Sequence, residues 1–214
     1  MKIRWLNVSC FIIESAKGTR IITDPFFHLY EPDDPPPGWN SNRPGIEEYA
    51  DVVALSHGHF DHSYIYAIKG VPRLYTGGAP AEIKGIKFNG VSSYHDNYGG
   101  GGRGLNEIIC MEVDGIRIVH LGDYGQPTLN DEQFEEIGRV DILMTPWGNW
   151  AEGLLDQLKP KVVLPMHHTS VNQVKHLEGF VDYTNKTSDL EYTKKTLPSK
   201  RQIIMLKESL ESSM

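Results

Sequence analysis

The 214-residue sequence predicts an α/β protein with two β-sheets and helices on the outside. Three observations predict it. Apolar runs of strand length alternate with segments of helical pattern along the chain. "DVVALS", residues 51–56, is a short continuous apolar run, as expected of a strand buried on both faces. "NEIICMEVDGIRIVHLGD", residues 106–123, is two apolar runs joined by Asp114-Gly115, the favoured pair for a type I′ hairpin turn.

In chain order, "KIRWL", "CFIIES" and "TRIITDP" read as strands joined by tight turns such as "AKG". Asp24 and Pro25 stop the third. "EPDDPPPGWNSNRPG" is too rich in Pro, Asp and Asn to be regular, and with Trp39 it is a candidate lid. "DVVALS" is the next strand. "DHSYIYAIKG" reads as a helix, "APAEIKG" as a short one, and "IKFNGVSSYHD" as a strand. After the hairpin, "NDEQFEEIGR" is a helix with Asn130 as N-cap. "VDILMTP" is a strand, "WAEGLLDQLKP" a helix ended by Pro160, and "KVVLPMHH" a strand. "VNQVKHLEGFVDYTNK" reads as a helix and "QIIMLKE" as the last strand. No tandem repeat or linker divides the chain, so residues 1–214 are expected to form a single domain.

Composition narrows the partners. The net charge of −7 argues against a nucleic-acid surface, which is usually basic. Cys10 and Cys110 sit far apart in apolar contexts and read as free buried thiols of a reducing compartment. There is no signal-peptide pattern and no membrane-length apolar window, so a cytoplasmic protein without a membrane partner is expected. The expected partner is a small-molecule substrate, with self-association into a homo-oligomer left open.

The chemistry gathers in "HGHFDH", residues 57–62. On an extended segment, residues i and i+2 point the same way, so His57 and His59 can face one point. The chain then turns, and Asp61 and His62 can face a second. Neutral imidazole and carboxylate together suit divalent metals. Gly58 is expected to permit a tight turn and keep a side chain out of the cavity. One hexapeptide cannot complete two sites. His95, Asp123 and His167 each follow an apolar run, where α/β proteins place their active sites, and are the candidate remaining ligands. His120 is expected to pack inside its strand. His168 is expected to face the substrate or to support the ligands. His28 and His176 read as ordinary surface or interface residues.

The order "TDP", "SHGHFDH", "YHD", "GGRGLN", "HLGD" and "PMHH" resembles the metallo-β-lactamase superfamily, closest to the small hydrolases that include L-ascorbate-6-phosphate lactonase. The resemblance implies a four-layer αβ/βα sandwich of two mixed sheets flanked by helices. It implies that His57, His59 and His95 hold one metal ion, that Asp61, His62 and His167 hold a second, and that Asp123 bridges them. Asp24 matches an acid that orients the ligands from behind. "WGNWAEG" and the His168 of "PMHH" depart from the common family pattern.

Two divalent ions, zinc first with manganese or iron also compatible, imply a hydrolase whose shared hydroxide attacks a small anionic ester, lactone or phosphoester. Asp61 is the first candidate to protonate the leaving group and His168 the second. Substrate contacts are expected from Arg103 in "YGGGGRG", whose glycines would also let backbone amides reach an anion, and from Trp147, Asn149 and Trp150. The alternatives are a non-enzymatic metal-binding or regulatory module on the same fold, or a thioesterase of glyoxalase II type.

Overall fold

Alternate residues of one strand enter different cores, and this sets the layers. The computed structural model describes residues 1–26, 45–148, 151–167 and 169–210. The smaller sheet holds β1 (Lys2–Asn7), β2 (Cys10–Glu14), β3 (Arg20–Thr23), β4 (Val52–Ala54), β5 (Arg73–Tyr75) and β13 (Asp189–Glu191), in the order β13-β1-β2-β3-β4-β5. The larger holds β6 (Ala81–Ile83), β7 (Ile86–Tyr94), β8 (Leu105–Val113), β9 (Ile116–His120), β10 (Ile142–Pro146), β11 (Val162–Met166), β12 (Phe180–Tyr183) and β14 (Gln202–Leu206), in the order β12-β14-β11-β10-β9-β8-β7-β6. Both are mixed. In the smaller, β3, β4 and β5 run parallel beside an antiparallel meander. In the larger, β6 to β9 are antiparallel, and β9, β10, β11, β14 and β12 are parallel.

Between the sheets pack Trp5, Phe11, Ile21, Phe88, Met111 and Met144. In β10, Ile142 and Met144 face this seam while Leu143 faces outward, and in β11 Val162 and Leu164 face it while Val163 faces outward. The uninterrupted apolar runs follow from this two-sided burial. Each fully buried large apolar side chain contributes about 1.5–3 kcal/mol, so the seam is the main cohesive element. Helices α1 (Asp131–Ile137), α2 (Ala151–Leu158) and α3 (Val171–Val174) cover the outer face of the larger sheet through Ile137, Leu154, Leu155 and Val174. The outer face of the smaller sheet is covered, among the described residues, by Phe26, Ile46, Ile68 and a 3-10 turn, Ile65–Ala67.

The Asp114-Gly115 turn has positive φ at both residues (53° and 74°), as a type I′ turn needs. Asn130 caps α1 by accepting from the Gln133 amide, and the Gln133 side chain accepts from the Asn130 amide. Cys10 and Cys110 are free and buried. Among the described residues no helix is long and apolar enough to cross a membrane.

Three expected helices differ. "DHSYIYAIKG" forms only the 3-10 turn, because two of its amides go to distant loop segments: Tyr64 donates to Pro25 and Lys69 to Glu48. Its aromatic and β-branched residues favour helix weakly. "APAEIKG" is β6, turned by Lys84-Gly85 (φ 53° and 78°) onto β7. The last expected helix stops after Val174. Gly179 takes φ 84°, and Phe180 pairs with Ile203 as part of β12. The proline-rich segment, with His28 and Trp39, lies outside the described residues.

Candidate metal centre

Strands β7, β9 and β11 run in one direction in the larger sheet, and β3 and β4 share a direction in the smaller. The residues just past their C-terminal ends converge. Asp24 follows β3, the hexapeptide follows β4, His95 follows β7, Asp123 follows β9 and His167 follows β11. All seven candidate ligands therefore meet at one edge of the sandwich, as open α/β sheets arrange their sites.

Two groups of donors form. Ligand atoms of His57, His59 and His95 lie within 4.8 Å of one another, and so do those of Asp61, His62 and His167. His57 Nε2 is 3.0 Å from His59 Nδ1, and the rings of His62 and His167 stack with centroids 5.2 Å apart. Asp123 lies between the groups. Its Oδ2 is 2.9 Å from His95 Nε2 and 3.3 Å from His167 Nε2, and its Oδ1 is 3.2 Å from His62 Nε2. Asp61 Oδ2 is 3.6 Å from His167 Nε2 and 3.7 Å from His62 Nε2.

Behind this layer, Asp24 is fully buried and its oxygens are taken. It accepts from the Ser56 amide (2.7 Å) and hydroxyl (2.6 Å) and contacts His62 Nδ1 at 2.8 Å. Its geometry also groups with His57 and His62, but with these partners it orients His62 Nε2 toward the cluster. Asn106 supports Asp123: its Oδ1 accepts the Asp123 amide at 2.9 Å, while its Nδ2 donates to Ser93 and to the Leu121 carbonyl. Gly122 (φ 57°) must be glycine, since a Cβ would overlap Asn106 and Ser56. Ser56, Asn106 and Gly122 lie within the quoted motifs "SHGHFDH", "GGRGLN" and "HLGD", but their supporting roles show only where the folded sheets approach.

The electrostatics separate the imidazoles. Burial first, then the neighbouring His62, lowers His57 to about 3, so it is a neutral donor. His59 is lowered by burial and by His95. Burial opposes charge on His62, but Asp123 and Asp24 outweigh it and raise His62 well above the usual imidazole value. His167 is raised against burial by Asp123 and Asp61. Burial would raise Asp61, yet His167 and His62 bring it down to about 2. Asp123 is held well below the carboxylate range, against burial, by His62, His167 and His95. The carboxylates thus draw positive charge inward, as they would a divalent cation. His62 Nε2 and Asp123 Oδ1, 3.2 Å apart, are buried and not aligned for a hydrogen bond. These misaligned donors and the all-N/O set fit a divalent metal.

Other expectations fare differently. His120 is fully buried and makes no part of the donor groups, and His176 is surface-exposed beside Glu152 at 3.7 Å. Gly58 has no left-handed φ, and an added Cβ would meet nothing within 4 Å, so its surroundings do not require glycine. The loop 98–104 is not an open anion nest. Asp96 accepts from the amides of Tyr98, Gly100, Gly102 and Arg103 at 2.7–2.9 Å, so the anion there is the protein's own. Those amides, Arg103 foremost, lower Asp96 to about 2. The Arg103 side chain is exposed, and Trp147 packs part-buried against the outer core. Among the described residues no hydrogen bond or ion pair joins either side chain to the cluster. Asn149, Trp150 and His168 lie outside the described residues.

Comparison with known proteins identifies the family. The family profile described as "Beta-lactamase superfamily domain" matches residues 2–167. A UPF0173 metal-dependent hydrolase of Pelotomaculum thermopropionicum is 30% identical, over 79% of this chain and 85% of that protein. Another, from a Polaromonas species, is 28% identical over 78% and 77%. A crystal structure from Thermotoga maritima, of a protein placed in the metallo-beta-lactamase superfamily, superposes with a TM-score of 0.72 at 29% identity, covering 96% of this chain and 98% of that one.

Proposed function

This chain belongs to the beta-lactamase superfamily and is a metal-dependent hydrolase, and from that premise we propose that it cleaves a small anionic ester, lactone or phosphoester with two divalent metal ions. The observation that carries the proposal is Asp123, whose carboxylate reaches both donor groups: Oδ2 faces His95 of the first and His167 of the second, and Oδ1 faces His62 of the second. His57, His59 and His95 would hold one ion, Asp61, His62 and His167 the other, and Asp123 would be shared. When bound, the ions supply Lewis acidity and a water whose pKa falls from 15.7 to about 7.

The chain's own groups do the rest. Asp24 holds His62 Nδ1 and leaves Nε2 for the cluster. Asp61 is an anion at neutral pH, because its pKa is brought down to about 2. A carboxylate that acidic is a weak proton shuttle, so its main part in this reading is as an anionic ligand. Protonation of the leaving oxygen is a secondary role that its place beside His167 allows. Two divalent cations exceed Asp61 and Asp123 in charge, so the loaded site attracts an anion although the protein is acidic overall. Arg103, exposed on the loop that Asp96 pins beside His95, offers a guanidinium for a carboxylate or phosphate.

The test is elemental analysis of purified protein beside a panel of lactones, phosphodiesters, thioesters and carboxylesters, repeated on His59→Ala. Bound metal and turnover that both fall in the variant are expected. A variant that keeps its metal and its full rate overturns the ligand assignment.

A further inference from the structure

The turn between β1 and β2 supplies no ligand, yet its backbone touches residues of both sheets beside the centre. Val8 and Ser9 are buried there, at 2% and 0% exposure. The Val8 carbonyl accepts the His167 amide at 3.0 Å and the Trp5 indole N–H at 3.0 Å. The Ser9 carbonyl accepts from His120 Nε2 at 2.8 Å and from the hydroxyl of Thr23, the residue before Asp24, at 3.1 Å. On its other side, His120 Nδ1 accepts the amide of Gly122, the residue before Asp123, at 3.1 Å. Asp24, Asp123 and His167 are thus all referred to one turn.

That turn is held against its own preference. Val8 has φ 48°, which a β-branched residue adopts only under tertiary constraint, and its partner His167 has φ 50°. His120 is fully buried, with both ring nitrogens committed, Nε2–H as donor and Nδ1 as acceptor. It bridges from the smaller sheet's turn to the larger sheet's Gly122. Sites assembled from two sheets need such a tie, since functional groups must be held within about 0.5 Å of their working geometry.

We propose that His120 is a positioning residue of the metal centre: anchored on the Val8–Ser9 turn, it fixes Asp123 relative to Asp24 and His167. The inference rests on the metal-centre reading and adds a residue that is not a ligand. His120→Gln can reach the Ser9 carbonyl but leaves the Gly122 amide without its acceptor. His120→Asn can accept from Gly122 but falls short of Ser9. His120→Phe fills the space and does neither.

Metal-free protein is titrated with cobalt(II) against a chromophoric chelator, and its visible absorption and the thermal midpoint of the metal-free form are recorded. Gln and Asn are each expected to weaken cobalt affinity about 10–100-fold and to alter the spectrum, as loss of a supporting partner does, with Phe at least as severe. Affinity and spectrum unchanged in the folded variants, or an affinity loss that only tracks the unfolded fraction, overturn the proposal. If Phe does not fold, Gln and Asn decide. His59→Ala runs in the same titration. Wild-type cobalt binding by that variant sinks the metal-centre reading itself, whereas its loss alongside intact His120 variants sinks only the positioning role.

Discussion

Asp123 and Asp141 are carboxylates at opposite ends of neighbouring parallel strands, and they are treated in opposite ways. Asp141 precedes β10, with its side chain 1% exposed. It accepts the Arg117 amide at 3.0 Å and faces Arg139 (3.2 Å), Lys161 (3.4 Å) and Lys194 (3.4 Å). Those cations keep their charge at any working pH, and the acid is a permanent pin between β9, β10 and β11. Asp123 follows β9, with its side chain 10% exposed. Among the described residues its ion-pair partners are all imidazoles, which can give up a proton to a metal. Charge that is fully compensated stabilises; charge left in reach of exchangeable partners binds. The same fold uses the N-terminal ends of its strands for the first purpose and the C-terminal ends for the second.

The sharpest way to break this contrast is to exchange the two losses. Asp123→Asn should lower kcat/KM on whichever panel compound is turned over by on the order of 10²–10³-fold, the scale of removing one transition-state stabiliser. Elemental analysis should show metal lost from protein that remains folded. Retained metal and rate would erase the distinction drawn for Asp123.

Asp141→Ala should do the reverse. Its basic partners are partly exposed and can return to water, but the part-buried Arg117 amide loses its acceptor. A stability loss of about 1–3 kcal/mol in urea unfolding is expected, with metal content unchanged. Asp141→Ala protein that lacks metal while folded would show the two ends to be coupled.

A smaller effect appears with pH. Burial would raise Asp141, but the Arg117 amide, Arg139 and Lys194 outweigh it and lower its pKa. A depressed carboxyl stabilises the fold above its unfolded-state value of about 3.9 and loses that contribution as pH falls through the folded value. The stability gap between wild type and Asp141→Asn should be full above about pH 5 and close below that unfolded value. A gap that widens on acidification contradicts the sign. The least effect is expected from Asp96→Ala. It frees the amides of Tyr98, Gly100, Gly102 and Arg103, which should exchange hydrogen faster while global stability stays nearly constant. Unchanged protection of those amides would mean that Asp96 does not hold the loop.

Local chemistry explains what could be read from the chain alone. The spacing of His57, His59, Asp61 and His62 is a property of consecutive residues, and apolar runs ending in His95, Asp123 and His167 mark strand ends without any coordinates. Asp114-Gly115 and the Asn130 cap work within a few residues of themselves, so they too were legible. Tertiary contact decided the rest. Tyr64 and Lys69 lost a helix to carbonyls of distant segments, and Ala81–Ile83 became a strand only because β7 lay beside it. The His120 bridge from Ser9 to Gly122 spans 111 residues on one side and two on the other. Sequence determined which residues are candidates for the chemistry, because that depends on side-chain type and short spacing. Beyond Asp24, structure decided which groups hold them in place, because a hydrogen bond between two sheets has no signature in either strand.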